Sequence, residues 1–335
     1  MPEDRRLHVC LGSECNNNCL FCMEEERGKR RNKLGRVDTQ TVIAMLSSQQ
    51  QRDEVMFTAG EPTLRPDLPL LIRKSKELGY RRIGMISNGR RFAYASYLNE
   101  LLDAGLQFLI VSIHGPDAAT HDGLTRTPGS FQNVALGLAN IKAARDGGRK
   151  LRFSTSTVLN KRNLGNLAAH LEFLATFQPD EVVLNAIQPQ GRGGRYFKQL
   201  VPTYTQMVEA VAEVVETSQR LGLELRLLDI PPCVTRSLPP STVGFVESHS
   251  HYEPDDEEGT IESVPLWRNQ APELQTEGSA GFAMVTKEIV DEFLRGYAPQ
   301  CARCQAKNQC EGIWRAYSNA YGFAEFVPFE TGTRG

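Results

Sequence analysis

From its start to about residue 190, the chain alternates short apolar runs with amphipathic stretches. Runs such as 108–111 and 182–184 carry no polar break, as expected of parallel strands buried on both faces. The alternation predicts strands over roughly 6–11, 54–59, 82–87, 107–113, 151–158 and 181–187. Helices are predicted over roughly 38–50, 67–79, 92–104, 131–146 and 163–177. Repeated strand–helix units build an α/β fold around a parallel sheet, because parallel neighbours need a long crossover that a helix supplies. Past residue 190 the texture changes to a helix at about 203–221, the run Leu223 to Ile230, and then Pro231-Pro232-Cys233. From Val234 to about Gln275, Pro, Ser and Glu accumulate around the acidic stretch Glu253-Pro254-Asp255-Asp256-Glu257-Glu258. This composition predicts a mobile, solvated insertion over 234–275, with His249 and His251 as an exposed pair rather than a metal site. The chain therefore divides into a domain at 1–222 and an extension at 223–335, with no internal repeat beyond the strand–helix alternation.

Composition narrows the class. With 38 basic and 40 acidic residues among 335, the net charge of −2 gives no broad basic surface, so nucleic acid is not an expected partner. No run of about eighteen apolar residues is present, and the opening MPEDRR lacks a signal-peptide core, so no membrane partner and a cytoplasmic location are expected. Reduced thiols are the rule in that compartment, which makes metal ligation a better use of the eight cysteines than disulfides.

Three cysteines, Cys15, Cys19 and Cys22, fall within the eight residues CNNNCLFC, just past the first predicted strand. Three thiolates so spaced hold three corners of a [4Fe–4S] cluster and leave the fourth iron open to substrate or cofactor. A zinc knuckle completed by Cys10 or His8 is the alternative, because zinc prefers a closed four-ligand shell. Three further strand ends follow in order: Thr58-Ala59-Gly60-Glu61-Pro62, Ser87-Asn88-Gly89, and Ser112-Ile113-His114-Gly115.

The C-x₃-C-x₂-C spacing with Phe21 before the last cysteine, followed by these strand ends, resembles the radical S-adenosylmethionine (radical SAM) superfamily. The resemblance implies a partial (β/α)₆ TIM-like barrel with its site at the C-terminal ends of the strands. It implies that Cys15, Cys19 and Cys22 hold the SAM-binding [4Fe–4S] cluster. Gly60 and Glu61, the counterpart of the family's GGEP sequence, would face the methionine amino end through the backbone. Ala59 stands where the family has its first glycine, a change expected to remove little. Asn88, Ser112 and Asn160 are candidates for carboxylate or ribose contacts, with ordinary turn or strand-end roles as the alternative. His114 is a candidate proton donor or acceptor, with a structural histidine as the alternative.

Cys301, Cys304 and Cys310 form a second group near the C-terminus and, with Cys233, supply four thiolates, enough to ligate a [4Fe–4S] cluster fully. Cys10 is then left as a small buried strand residue. The group resembles the SPASM/Twitch auxiliary-cluster extensions of the same superfamily. It has too few cysteines for a two-cluster SPASM domain, and tetrahedral zinc fits its spacing as well. The expected activity is reductive cleavage of SAM to a 5′-deoxyadenosyl radical that abstracts a substrate hydrogen, with a flavodoxin or ferredoxin as electron donor. The expected substrate is a peptide or protein. The alternatives are a small metabolite or nucleotide-like cofactor precursor and, from another class, a noncatalytic iron–sulfur electron carrier or sensor. Basic stretches at 27–36 and 191–198 are candidate anion cradles, with flexible surface loops as the alternative.

Overall fold

A computed structural model of the chain describes residues 6–23, 37–244, 249–254, 282–286 and 294–330. Strands β1 (Arg6–Cys10), β2 (Glu54–Thr58), β3 (Arg82–Ser87), β4 (Phe108–Ser112), β5 (Arg152–Val158), β6 (Glu181–Asn185) and β7 (Leu225–Leu228) follow one another across one sheet. Each is parallel to the one before. The first six stand where the apolar runs place them. The seventh is the 223–230 run, in which Leu225 and Leu227 are buried while Arg226 and Leu228 are half-buried, the two-residue period of a strand. The six-unit expectation thus becomes seven parallel strands, and the sheet continues past residue 222.

On the free edge of β1, β8 (His249–Pro254) adds in parallel, and β9 (Phe282–Thr286) pairs antiparallel with β8. The stretch expected as a mobile insertion therefore includes a strand of the main sheet, preceded by 3₁₀ turns at Thr235–Ser237 and Pro240–Thr242. Its remainder, 245–248 and 255–275, lies outside the described residues.

Between strands lie α1 (Thr39–Ser48), α2 (Leu68–Glu77), α3 (Ala95–Ala104), α4 (Ala118–Thr125), α5 (Ser130–Asp146), α6 (Leu167–Ala175) and α7 (Gly191–Arg195). Asp38 caps α1 by accepting from Gln40 N, and Gly105, at φ 119°, ends α3 in the left-handed conformation that glycine tolerates. The helix expected at 203–221 is broken into α8 (Tyr204–Ala212) and α9 (Val215–Arg220). Helices α4 and α7 were invisible to periodicity: one is eight residues long with an internal glycine, and the other is the glycine-rich GRGGR.

The two faces of the sheet differ. Phe57, Met85, Leu109, Val111, Phe153 and Leu184 are fully buried and share one core with the helix residues Met45, Leu71, Leu101, Leu138 and Leu171. Ile86, Ile110, Ser112, Ser156, Val158 and Asn185, from the alternate positions, are only half-buried. Ser112 lies opposite Ser156 and Val158 opposite Asn185 in the ladder, so this open face carries polar groups toward the C-terminal strand ends.

Candidate active site

The cysteine loop leaves β1 at the C-terminal edge of the sheet, and its shape is set by three consecutive asparagines. Each is held by a different element. Asn88, after β3, donates through Nδ2 to Asn16 Oδ1 at 2.7 Å, and that nitrogen lies 3.9 Å from Cys15 Sγ. Ser130, the first residue of α5, donates to Asn17 Oδ1 at 3.2 Å, and Arg90 reaches Asn16 O at 2.5 Å and Asn17 Oδ1 at 3.3 Å. Arg192 of α7 donates to Asn18 O at 3.1 Å and to Asn18 Oδ1. Backbone straps add to this: Asn18 N and Leu20 N donate to Thr125 O and Leu124 O at 2.9 Å, and Arg192 N donates to Cys22 O at 2.9 Å.

The glycines of α7 serve close approach. A Cβ on Gly193 would stand 2.8 Å from Gln188 O and 3.2 Å from Phe21 O. Within the 191–198 stretch, Gly191–Arg195 is helical and Arg192 is fully buried against the cysteine loop, while Arg195 and Lys198 are exposed. The other basic stretch, 27–36, lies outside the described residues.

Behind the loop runs a chain of hydrogen bonds whose direction follows from valence. His121 Nδ1 accepts from His114 N at 3.1 Å, which leaves the proton on Nε2 to meet Ser130 Oγ at 3.1 Å; the Ser130 hydroxyl then donates to Asn17. Burial holds the His121 pKa down at about 4 and that of His114 well below the usual range, so both rings are neutral. His114 Nδ1 accepts from Val158 N at 3.3 Å, which assigns its proton to Nε2. The edge of Phe21 packs on the His114 ring at a centroid distance of 4.6 Å. As a proton-transfer candidate His114 thus offers a neutral Nε2–H and no free base at Nδ1.

The other candidates fall into two kinds. Glu61 is buried and spends both carboxylate oxygens inside the protein: Oε1 accepts from Thr63 N, Thr63 Oγ1 and Ser87 Oγ, and Oε2 from Asn88 N at 2.7 Å. Burial raises its pKa, and the donors from Thr63, Asn88 and Ser87 pull the other way. Its side chain is a brace between the β2 and β3 ends, leaving the backbone of Ala59 and Gly60, both half-buried, as what this loop can offer a ligand. Gly60, at φ 53°, admits no Cβ, which would lie 2.4 Å from Glu14 O. Asn160 is likewise used locally, donating to Val158 O at 2.9 Å and accepting from Arg162 N at 3.0 Å. Ser112 stands on the open face of the sheet, and Asn88 stands at the cysteine loop.

Of the residues at this site, Asn17, Arg90, His121 and Ser130 escape sequence reasoning, and Arg192 enters it only as part of the basic stretch 191–198. The available signal was CNNNC itself: three amides in succession in a loop that must keep one shape. The donor set fits an iron–sulfur cluster. Three half-buried thiols share one short loop, Asn17 N donates to Cys15 Sγ at 3.4 Å, and such N–H···S contacts tune thiolate ligands.

The second group converges as well. Cys233, Cys301, Cys304 and Cys310 line one cavity with Pro232, Tyr297, Phe326 and Phe329. Gly312 N donates to Cys310 Sγ and Phe329 N to Cys304 Sγ, each at 3.4 Å. Burial, with the other thiols nearby, pushes the Cys233 thiol up to about 12. Among the described residues, no three cysteine, histidine or carboxylate side chains are already drawn together as a closed metal-binding group. Beside the cavity, Arg295 binds Asp229 at 2.6 Å and lies over Trp314 at 4.1 Å, while Tyr317 stacks on Tyr204 at 3.9 Å. These contacts fix the tail to the sheet domain.

Sheet order, half-open strand face and cysteine loop define a class. Residues 9–174 match the radical SAM superfamily and are a radical SAM domain. That family works with a [4Fe–4S] cluster and SAM. A protein of Saccharolobus islandicus named "Probable GTP 3′,8-cyclase" is 33% identical over 197 residues, 58% of this chain and 60% of that protein. Its counterpart in Sulfolobus acidocaldarius is 29% identical over 191 residues, 57% and 58% of the two chains. The chain thus spans about three-fifths of the length of these relatives. Among solved structures, Streptococcus suis SuiB bound to its precursor peptide SuiA has a TM-score of 0.53 at 15% identity, covering 66% of this chain and 48% of that one. The anSMEcpe enzyme with AdoMet and a peptide has a TM-score of 0.52 at 13% identity, covering 66% and 63%. At these identities the two structures establish the fold. No helix among the described residues is long and apolar enough to cross a membrane.

Proposed function

We propose that the chain is a radical SAM enzyme acting on a small nucleotide-like molecule, with a tail that carries an auxiliary iron–sulfur cluster. The observation that carries the substrate class is the 33% identity over 197 residues to a protein named for a GTP cyclisation. The half-open strand face agrees with it: Ser112, Ser156 and Asn185 offer hydroxyl and amide groups, and Asn185 Nδ2 already donates to Ser156 Oγ at 2.9 Å. This reading replaces the peptide or protein expected from sequence, which has fold likeness alone behind it.

Cys15, Cys19 and Cys22 would hold the cluster, which when bound supplies the electron that splits the sulfonium C–S bond of SAM into methionine and a 5′-deoxyadenosyl radical able to take a substrate hydrogen. The chain's own work is placement. Asn88, Arg90, Ser130 and Arg192 fix the loop through its three asparagines, and Glu61 fixes the Ala59-Gly60 backbone that would receive the methionine end. His114 presents an uncharged Nε2–H beside Phe21. Cys233, Cys301, Cys304 and Cys310 would hold the second cluster, and electron transfer is its proposed role. A flavodoxin- or ferredoxin-type donor would supply the reducing electron.

The test is anaerobic reconstitution with iron and sulfide, reduction with dithionite, and mass spectrometry of 5′-deoxyadenosine with and without GTP carrying deuterium on its ribose. Deuterium arriving in deoxyadenosine supports the reading. Turnover stimulated by peptides and not by nucleotides overturns the substrate class, and iron uptake without any deoxyadenosine moves the chain to the noncatalytic class.

A further inference from the structure

Arg192 is fully buried, yet among the described residues no carboxylate pairs with it, and its Nε and Nη2 have no hydrogen-bond partner. Only Nη1 is satisfied, by Asn18 O at 3.1 Å and Asn18 Oδ1. A guanidinium keeps its charge inside a protein, and a buried, uncompensated charge is strongly destabilising. Such a residue implies a counter-charge. Among the described residues its donors reach the cysteine loop: Nη1 holds the residue before Cys19, and its backbone N–H donates to Cys22 O at 2.9 Å. The neighbouring cation, Arg90, holds the other end of the same asparagine run.

We propose that Arg192 is the counter-ion of the SAM-binding cluster and a positioning residue that sets its reduction potential. The proposal rests on the assignment of the cluster to Cys15, Cys19 and Cys22. Three thiolates around a [4Fe–4S] core leave a net charge of about −1 when oxidised and about −2 when reduced. Reduction therefore adds one negative charge beside a fixed buried cation, so Arg192 stabilises the reduced state more than the oxidised one. From sequence, GRGGR reads as a basic stretch or a flexible loop; its place against the cysteines follows from the fold of α7.

The experiment is an EPR-monitored redox titration of reconstituted full-length protein in the absence of SAM. It follows the cluster signal that changes shape when SAM is later added, with iron content measured alongside. Arg192→Met removes the charge and keeps an unbranched stem; Arg192→Lys keeps the charge and loses the planar fork. R192M is expected to retain iron and shift the reduced-to-oxidised ratio about tenfold toward oxidised at fixed potential, about 59 mV for one electron. R192K is expected to stay near wild type. Should R192M lose iron, Arg192→Gln is titrated in its place with the same expectation.

An unchanged potential in an iron-replete R192M or R192Q overturns the proposal. So does an equal shift in R192K, which would make the role one of shape, or a loss of SAM affinity with no shift, which would make Arg192 a carboxylate ligand. Wild-type protein that takes up no iron at the cysteine loop overturns the cluster assignment itself, which is a separate outcome.

Discussion

The two thiol groups of this chain are held by opposite means. Around Cys15, Cys19 and Cys22, the anchors are hydrogen bonds from strand and helix ends: Asn88, Arg90, Ser130 and Arg192, each gripping the intervening asparagines. Around Cys233, Cys301, Cys304 and Cys310, the walls are apolar and aromatic, and the backbone between them is short 3₁₀ turns at Pro299–Arg303 and Lys307–Gln309. Directional bonds fix a loop without help from a ligand, whereas an apolar wall with four thiols leaves their arrangement to whatever ion they bind. The first site is pre-arranged by the protein, and on the proposed assignment the second would be completed by its metal. They are linked: Gln188, three residues before Gly191, donates to Asp229 Oδ2 at 3.2 Å, and Asp229 carries the ion pair to Arg295 in the tail.

The largest expected effect breaks the first site without unfolding it. Cys15→Ala should abolish deoxyadenosine formation to the level of a no-enzyme control and lower iron by about four per chain. The melting temperature should hardly change, because Asn16, Asn17 and Asn18 keep their anchors. A large fall in melting temperature with Cys15→Ala would show that the cluster, not the network, holds the loop.

Cys301→Ser should do the converse. We expect it to destabilise the tail by roughly 2–5 kcal/mol, while SAM cleavage without substrate persists. In hydrogen exchange, metal-free protein should lose protection over 299–310, whereas Arg315–Tyr321 (α10) stays protected through its stack on Tyr204. Uniform loss across both segments would refute the division between metal-built and protein-built parts.

How far the sequence reached depends on how each part is specified. Strands β1 to β6 were legible because each is a short run rich in apolar or β-branched residues, β5 (RFSTSTV) through its threonines and valine rather than through unbroken apolarity. The 223–230 run alternates leucines with Glu224 and Arg226 instead, and nothing local tells that its partner is β6. The three cysteines were legible because ligand spacing is local chemistry. Their supports were not: Arg192 lies about 170 residues downstream in a glycine-rich string, His121 lies within a helix too short to show a period, and Ser130 opens α5 with nothing local to tell that it reaches Asn17. Glu61 shows the limit of a motif. Its position at the site was readable, while its use as a brace depends on Thr63, Ser87 and Asn88 converging on one carboxylate.

Acidification should loosen the first site before the second. In the unfolded chain, His121 and His170 take up protons below about pH 6.5; in the folded chain, burial delays this to about 4 for each. Between these values the unfolded state binds more protons, so stability rises with pH and is lost as pH falls from about 6.5 toward about 4. Each histidine contributes a slope of up to roughly 1.4 kcal/mol per pH unit. His121 sits in the chain that ends on Asn17, while the tail anchors named above are an ion pair and aromatic stacks. Urea denaturation at a series of pH values checks the slope, and His170→Gln should flatten it by about a third, because His114, also held well below its usual range by burial, contributes beside His121. An unaltered slope would mean that these rings are already protonated or exposed in the folded protein.

The smallest effect concerns the residue expected to matter least. Ala59 replaces the first glycine of the family's GGEP sequence, and backbone binding alone predicts little cost. In the structure Ala59 sits at φ 67°, in the left-handed region where a Cβ crowds the following carbonyl. Relief of that strain is partly offset by the greater freedom glycine has in the unfolded chain. Ala59→Gly should therefore stabilise the protein by about 1 kcal/mol, a rise of about 2 °C in melting temperature for a chain of this size. The neighbouring exchange has the opposite sign, since a Cβ on Gly60 would meet Glu14 O at 2.4 Å. The second site also holds a left-handed residue, Asp229 at φ 64°, but there the side chain pairs with buried Arg295 at 2.6 Å, and glycine would remove that carboxylate and leave Glu311 at 3.3 Å. Ala59 has no such duty, because the loop's polar work is done by Glu61. If Ala59→Gly leaves the melting temperature unchanged, the loop is not strained at that residue, and the pre-arrangement of the first site has no energetic cost at this position.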